Sequence, residues 1–230
     1  MKIHGLQKMT LLDYPGHVAC TVFFGGCDMR CPFCHNAELL DGSAPPVMDD
    51  AELIAFLKKR QGLLDGVAIT GGEPLLQKDL PDTIARIREL GYPVKLDTNG
   101  THPERLRLLL QNGLVQYAAM DIKNSPERYA ETAGLPEMDL GPVRESVSLL
   151  MEGIVPYEFR TTAVKELHDD ESFLRIGEWI RGAERYYLQK FTDRETVPFE
   201  GLHAPEDEQM KRWADLIRPM VPAVELRGVE

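Results

Sequence analysis

Basic residues are in short supply in this chain. Its 230 residues include 26 Lys and Arg but 37 Asp and Glu, which gives a formal net charge of −11. A nucleic acid or an anionic membrane as the main partner would call for a basic surface, so we expect neither. No apolar run approaches the roughly 20 residues that span a bilayer, and residues 1–10 lack the apolar core of a signal peptide. We therefore expect no membrane anchor and no export.

Cysteine is also scarce, and most of it is concentrated in one place. Of the four cysteines, Cys27, Cys31 and Cys34 fall within eight residues at C-x3-C-x2-C spacing. Such a distribution is unlike the disulfide framework of a small secreted protein. A reducing cytoplasm is therefore the expected location.

Short apolar runs alternate with helical patterns along the chain, after a segment over residues 1–17 that we predict to be irregular. Strands are predicted at 18–24, 66–70, 93–97, 115–121, 157–162 and 185–191, with a last short one at 223–227. The alternation predicts a parallel sheet with right-handed crossovers. A full eight-unit barrel typically needs about 250 residues. We therefore predict an α/β fold, a partial (open) barrel of about six parallel strands with outer helices, as a single domain over 1–230.

Polar motifs follow the predicted strands. The cysteines follow the first strand, and further motifs lie at Gly71-Gly72-Glu73-Pro74, Asp97-Thr98-Asn99-Gly100 and Asp121-Ile122-Lys123. Arg160 and Thr162 lie on the fifth strand and Gln189 near the end of the sixth. Because the carboxyl ends of parallel strands meet at one rim, where α/β enzymes place their sites, we expect these residues to converge.

The three clustered thiols predict a metal centre that keeps one position open. Three thiolates are one short of the four that close a structural zinc or ordinary iron–sulfur site. Zinc would need His35 or Cys20 as a fourth ligand. Haem attachment fits the C-x-x-C-H pattern at residues 31–35, but it requires export and leaves Cys27 unused. A three-thiolate iron–sulfur site is the favoured interpretation, with Cys20 as a small buried hydrophobe.

Two of these motifs resemble the signatures of the radical S-adenosylmethionine (SAM) superfamily: C-x3-C-x2-C with an aromatic, Phe33, before the last cysteine, and Gly-Gly-Glu-Pro after the second predicted strand. Three further stretches resemble the activases of glycyl radical enzymes, above all the anaerobic ribonucleoside-triphosphate reductase activating proteins. These stretches are Cys-His-Asn at 34–36, Leu-Asp-Thr-Asn-Gly at 96–100 and Met-Asp-Ile-Lys at 120–123. The resemblance covers about residues 5–192.

The resemblance implies an oxidoreductase with a [4Fe–4S] cluster on Cys27, Cys31 and Cys34 and with SAM at the fourth iron. Reduction then cleaves SAM to methionine and a 5′-deoxyadenosyl radical, which removes a glycine hydrogen from a partner enzyme. The cofactors supply this chemistry and the protein orients them. The resemblance and the residue types together give the expected cofactor-binding set as Phe33, Gly71, Gly72, Glu73, Asp97, Thr98, Asn99, Asp121, Lys123, Arg160, Thr162 and Gln189.

The expected roles differ along this set. Gly71 and Gly72 let backbone carbonyls approach the methionyl ammonium, while Glu73 either orients that ammonium or fixes its loop. By resemblance, Lys123 meets the methionyl carboxylate, and a monovalent cation is allowed beside Asp97, Thr98 and Asp121. A local ion pair is the structural alternative for Asp121 and Lys123, as a buried salt bridge is for Arg160. Gln189 is expected near the adenosyl end.

The resemblance also implies partners. With no further cysteine cluster, the chain should receive its electron from reduced flavodoxin or ferredoxin and hand its radical to a glycyl radical enzyme. It is expected to act as a monomer. Two alternative functions remain: a small-molecule radical SAM enzyme such as a 7-carboxy-7-deazaguanine synthase, and a non-catalytic metal-binding protein.

Overall fold

An eight-stranded sheet organises the computed structural model, which describes residues 1–229. Its strands, in chain order, are β2 (Gly5–Thr10), β3 (Ala19–Phe24), β5 (Gly66–Gly71), β6 (Val94–Thr98), β7 (Tyr117–Asp121), β8 (Tyr157–Ala163), β9 (Tyr186–Lys190) and β10 (Val224–Arg227). Their order across the sheet is β10-β9-β8-β7-β6-β5-β3-β2. Every pair from β3 to β10 is parallel, and β2 is antiparallel to β3. The α/β prediction of an open barrel is confirmed, with seven parallel strands where about six were predicted.

Helices follow most of the parallel strands and cover the outside of the sheet. They are α1 (Asp50–Lys58), α2 (Leu80–Glu89), α3 (Pro103–Gln111), α4 (Tyr129–Thr132), α5 (Gly141–Met151), α6 (Asp170–Trp179) and α7 (Asp207–Ile217). Local sequence explains several helix starts. The Asp49 side chain accepts from the Glu52 backbone and the Glu52 side chain accepts from the Asp49 backbone, a capping box that begins α1. Asp169 caps α6 through the backbone N–H of Ser172.

The prediction of an irregular segment over residues 1–17 was wrong. Strand β2 pairs with β3, with Gly5 opposite Phe23, and a two-residue β1 (Lys2–Ile3) pairs with β4 (Met48–Asp49). β2 is an edge strand whose middle residues are exposed, so it lacks the apolar alternation that identifies a strand from sequence. Its partner β3, buried along nearly its whole length, supplies the pairing.

Between β7 and β8, Pro142 lies in the first turn of α5. A proline is tolerated there because the first backbone N–H groups of a helix have no intrahelical partner. Proline therefore marks the start of this helix.

The apolar core lies between the sheet and its helices. Several charged side chains are also buried. Lys95, Glu73 and Glu158 are all at most 2% exposed. Charges are seldom buried this completely unless something pairs with them. No helix within residues 1–229 is long and apolar enough to cross a membrane. The single-domain assignment stays a prediction, although one sheet includes strands from residue 5 to residue 227.

Candidate metal and cofactor site

A cavity of about 240 Å³ opens at the C-terminal ends of the parallel strands. We call it the thiol cavity, because the side chains of Cys27, Cys31 and Cys34 line it. Of the fifteen predicted site residues, all except Glu73 line this cavity: Cys27, Cys31, Phe33, Cys34, Gly71, Gly72, Asp97, Thr98, Asn99, Asp121, Lys123, Arg160, Thr162 and Gln189. The structure thus brings together residues from six strand ends that lie up to 162 positions apart in the chain.

Backbone hydrogen bonds from two distant segments hold the cysteine loop. The N–H of Cys27 donates to Leu40 O at 3.0 Å, and the N–H of Arg30 donates to Ala133 O at 2.8 Å. Gly134 lies so close to this loop that a Cβ there would approach Arg30 O to 1.9 Å. The loop is therefore fixed by its neighbours in the fold before any ligand is considered.

All three cavity thiols are free cysteines in a site that disfavours the thiolate. Burial raises the pKa of Cys27 to about 12 and also raises the pKa of Cys31 and Cys34, while the nearby Lys123 ammonium opposes the rise. Without a metal these groups therefore stay protonated at neutral pH. A metal centre would have to displace their protons, which is how thiolate ligands couple metal binding to pH.

The fourth ligand that zinc would need is not supplied by either predicted candidate. His35 Nε2 lies 2.7 Å from Thr192 O, and its ring stacks on Phe191. Cys20 is buried within β3 in the apolar core. Within residues 1–229, no group of three or more His, Cys, Asp and Glu side chains surrounds the position of a single metal ion.

Gly71 and Gly72 are required by packing between the end of β5 and the cysteine loop. Gly71 has a φ of 127°, and a Cβ there would lie 2.2 Å from Phe24 O. A Cβ on Gly72 would lie 2.1 Å from Gly26 O. These distances are far below contact between non-bonded atoms, so no side chain fits at either position. The glycines thereby let the two strand-end loops share backbone hydrogen bonds, from Gly72 N to Phe24 O and from Glu73 N to Gly26 O, both 2.8 Å.

Glu73 lies behind the cavity wall and fixes the loops that form it. Its carboxylate accepts from Leu75 N at 3.0 Å, Thr98 Oγ1 at 2.9 Å and Asn99 N at 2.7 Å. Burial raises the pKa of Glu73 to about 7, although these three hydrogen bonds oppose the rise. Of its two predicted roles, the structure favours fixing the loop over contacting a ligand.

Three cations and two carboxylates form a buried network along one wall. Arg160 contacts Asp97 Oδ2 at 3.1 Å and Asp121 Oδ1 at 3.0 Å. Lys123 contacts Asp121 Oδ2 at 3.0 Å, and Lys95 contacts Asp97 Oδ1. Both structural alternatives, the local ion pair and the buried salt bridge, are therefore present. The count of three cations against two carboxylates leaves one positive charge beside the cavity, which suits a single further carboxylate.

The same network sets the protonation of its members. Burial alone would raise the pKa of Asp97, but Arg160 and Lys95 outweigh it and hold that pKa below its ordinary value. Lys123 and Arg160 likewise lower the pKa of Asp121 despite its burial. The carboxylates in turn raise the pKa of Lys123 and of Arg160. Asp97, Asp121, Lys123 and Arg160 therefore carry their charges at neutral pH.

Asn99 links the end of β6 to the cysteine loop. Its Nδ2 donates to Asp28 Oδ1 at 2.7 Å and lies 3.8 Å from Cys27 Sγ. His102 Nε2 lies 3.2 Å from Asp28 Oδ2. Burial would raise the pKa of Asp28, but the neighbouring side chains of His102, Thr101 and Asn99 lower it to about 2.

Gln189 receives support from the last strand. Its Oε1 accepts from Arg227 Nη1 at 3.2 Å. Because arginine has no acceptor, this contact identifies Oε1 as the atom on the Arg227 side. It leaves the Gln189 amide N–H groups as the donors available to the cavity.

Several residues that contact the site were not predicted from the sequence. Lys95 and Arg227 were not among the predicted site residues, nor was Asp28. For Lys95 a signal existed, since residues two apart on a strand share a face and Asp97 was already identified. For Arg227 none existed, because its partners come from other strands. Further residues line the thiol cavity without having been assigned to the predicted set: Met29, His35, Asn36, Leu40 and Thr70.

Comparisons with known proteins agree with this geometry. The sequence pattern of the Radical SAM superfamily matches residues 21–174. A Methanocaldococcus jannaschii protein with the provisional name of glycyl-radical enzyme activating enzyme is 29% identical, over 99% of this chain and 96% of its own length. A pyruvate formate-lyase-activating enzyme of Listeria monocytogenes is 26% identical, over 90% of this chain and 92% of its own.

A solved structure shares the fold. Streptococcus suis SuiB bound to S-adenosylmethionine superposes with a TM-score of 0.70 at 12% identity, over 90% of this chain and 52% of that one. At that identity the likeness concerns the fold alone. The sequence match covers most of the chain and includes the three cavity cysteines. The chain is therefore an enzyme of the radical SAM superfamily.

Proposed function

We propose that this enzyme is an activase that generates a glycyl radical on a partner enzyme, the partner being anaerobic ribonucleoside-triphosphate reductase. One observation carries the proposal: a single cavity joins three thiols to a wall with one surplus positive charge. Similarity to two activating enzymes over at least 90% of the chain supports the activase assignment. The ribonucleotide reductase partner follows from the motif resemblance at 34–36, 96–100 and 120–123.

The residues fit the two cofactors that the superfamily implies. Cys27, Cys31 and Cys34 would hold a [4Fe–4S] cluster, and the absence of a fourth cysteine at the cavity among the described residues leaves one iron for SAM. The surplus positive charge beside Lys123 and Arg160 would accept the methionyl carboxylate. When bound and reduced, this pair of cofactors supplies a 5′-deoxyadenosyl radical that abstracts hydrogen.

The protein's own part in the reaction is to position and shield. Lys123 and Arg160, fixed by carboxylates, present charge that needs no reorganisation when a ligand arrives. Thr162 and the amide donors of Gln189 would face the adenosyl end, and Asn99 the ribose. Phe33, 6% exposed, would pack beside the cluster. Such fixed walls keep a reactive species oriented and away from solvent.

The reductant, location and assembly belong to the same proposal. Reduced flavodoxin or ferredoxin would supply the electron, because Cys20 lies in the core and offers no second cluster. A cytoplasmic setting suits thiols that must stay reduced until metal is bound. We propose that a single copy of the chain suffices, because the residues assigned to the cofactors all come from one chain.

The decisive experiment is anaerobic reconstitution with iron and sulfide, followed by dithionite, SAM and a candidate partner. Electron paramagnetic resonance should then show a glycyl doublet on anaerobic ribonucleotide reductase. Pyruvate formate-lyase serves as the comparison partner, and the Cys31→Ala variant as the negative control. SAM cleavage without a doublet on either partner would favour the small-molecule enzyme. No SAM cleavage by a reconstituted, reduced cluster would favour the non-catalytic alternative.

A further inference from the structure

Lys95 is a fully buried lysine without an assigned role. It lies on β6 two residues before Asp97, and its side chain is 2% exposed. Its ammonium contacts Asp97 Oδ1. A lysine buried without a charged partner would cost several kcal/mol, so the fold accepts it only because Asp97 is there.

The position of Lys95 bears on the monovalent cation that the resemblance allows beside Asp97, Thr98 and Asp121. All four carboxylate oxygens of Asp97 and Asp121 already contact cationic side chains: Lys95 and Arg160 on Asp97, Arg160 and Lys123 on Asp121. The residues of the site therefore do not fit a further cation.

The Thr98 hydroxyl is equally occupied. It donates to Glu73 Oε1 at 2.9 Å and accepts from Gly100 N at 3.1 Å. Thr98 is 3% exposed. Each side-chain oxygen of Asp97, Asp121 and Thr98 is thus already in contact with another group of the protein. A metal ion here would also raise the local charge from one surplus cation to two.

We propose that the Lys95 ammonium acts as a built-in cation next to Asp97, so that SAM binding by this enzyme is independent of potassium and sodium. The proposal rests on the proposed function, because it concerns SAM in the thiol cavity. A tethered ammonium holds the carboxylate permanently, whereas a free ion must be captured from solution at each loading. Lys95 is a positioning residue: it acts through Asp97 and Arg160 on the cavity wall.

A Lys95 that occupies the place of a metal ion can be distinguished from one that only balances charge by the effect of salt on a variant that lacks the ammonium. If Lys95 takes the place of an ion, the Lys95→Met variant opens a site of about ammonium size beside Asp97 Oδ1, while Arg160 still holds Oδ2. Potassium should then enter and restore SAM binding. If Lys95 only balances charge from a distance, no particular ion will restore the variant.

The test measures SAM affinity of the reconstituted enzyme by anaerobic equilibrium dialysis in potassium, sodium or tetramethylammonium chloride at equal ionic strength. For wild type we expect the Kd to stay within about twofold, and for Lys95→Met to rise at least about tenfold in tetramethylammonium relative to potassium. The Lys95→Met/Asp97→Asn double variant removes both charges and should lose the salt dependence. That variant is the matched control for lost packing.

Two results would overturn the inference: potassium-dependent SAM binding by wild type, or a folded Lys95→Met variant that binds SAM equally in every salt. If Lys95→Met folds in potassium but not in tetramethylammonium, the difference in its thermal unfolding between these two salts supports the inference. If it folds in none of the three salts, the salt dependence of SAM binding by wild type decides. If wild type binds SAM in none of the three salts, the proposed function itself is refuted. If wild type binds SAM only when potassium is present, only the role of Lys95 is refuted.

Discussion

Replacing Glu73 with glutamine tests whether this buried carboxylate holds the loops of the thiol cavity. Glu73 is 0% exposed and accepts three hydrogen bonds, two on Oε1 and one on Oε2. Within residues 1–229 its side chain has no ion pair. Glutamine keeps the shape but offers an amide N–H₂ where one oxygen accepted, so at least one backbone or hydroxyl donor loses its partner.

Two opposing effects set the size of the change. A lost buried hydrogen bond costs about 1–3 kcal/mol at any pH. Burial raises the pKa of Glu73 from 4.5 to about 7, so the folded protein binds more protons than the unfolded chain between these values. Wild-type stability is therefore greatest below pH 4.5 with respect to this group and falls as the pH rises to about 7, by roughly 3 kcal/mol. Glutamine does not ionise, so the Glu73→Gln variant does not lose this stability as the pH rises.

The expected result is a pH-dependent sign. Below about pH 5 the Glu73→Gln variant should be less stable than wild type by about 1–3 kcal/mol, and at pH 8 it should equal wild type or be more stable by up to about 2 kcal/mol. Urea unfolding of the cluster-free protein at pH 5, 6, 7 and 8 under argon measures this difference. Glu158→Gln is the matched control, since it removes a buried carboxylate that contacts Arg227 and should destabilise at every pH. A Glu73→Gln deficit that is the same at all four pH values would refute the reasoning.

Three further outcomes are expected. Alanine in place of any cavity cysteine should abolish the iron–sulfur absorption of the reconstituted protein, while Cys20→Ala should retain it; normal iron content in a cavity variant would contradict the ligand assignment. Lys123→Met should weaken SAM binding by at least about tenfold with the cluster intact, and unchanged affinity would exclude the carboxylate contact. Gly72→Ala should destabilise by more than about 4 kcal/mol because its Cβ would meet Gly26 O. Gly62→Ala, with a φ of 79° and open space around its Cβ, should cost only about 1–2 kcal/mol; equal losses would show that the clash is not the cause.

Much of the fold could be predicted because local patterns and tertiary needs coincide there. The buried strands β5 to β9 are short apolar runs followed by polar motifs, and a parallel sheet places those ends together. Strand β2 escaped prediction because it depends on β3 for its pairing. Strand β10, the seventh parallel strand, was predicted only as a last short strand, because four residues are too few to show a clear apolar alternation.

The candidate site could be located from sequence, but its internal roles could not. The combination of residue types, strand-end positions and the family resemblance identified fourteen of the residues that line the thiol cavity. It did not separate Glu73, which lies behind the wall, from its neighbours Gly71 and Gly72, which form it. Nor did it find that Arg227 orients Gln189, since that contact joins two different strands.

The sequence by itself determined which chemical groups the site contains: three thiols close enough in the chain to share one loop, and polar residues at strand ends that a parallel sheet must gather. Those features are local, so the sequence shows them without a structure. Only the tertiary structure decided the electrostatic balance of the site. Whether Asp97 can bind a metal ion or is already paired with Lys95 and Arg160 depends on which charged side chains the folded strands bring together. The energy of a buried ion pair depends on the distance between the charges and on their burial, and residue spacing along the chain specifies neither.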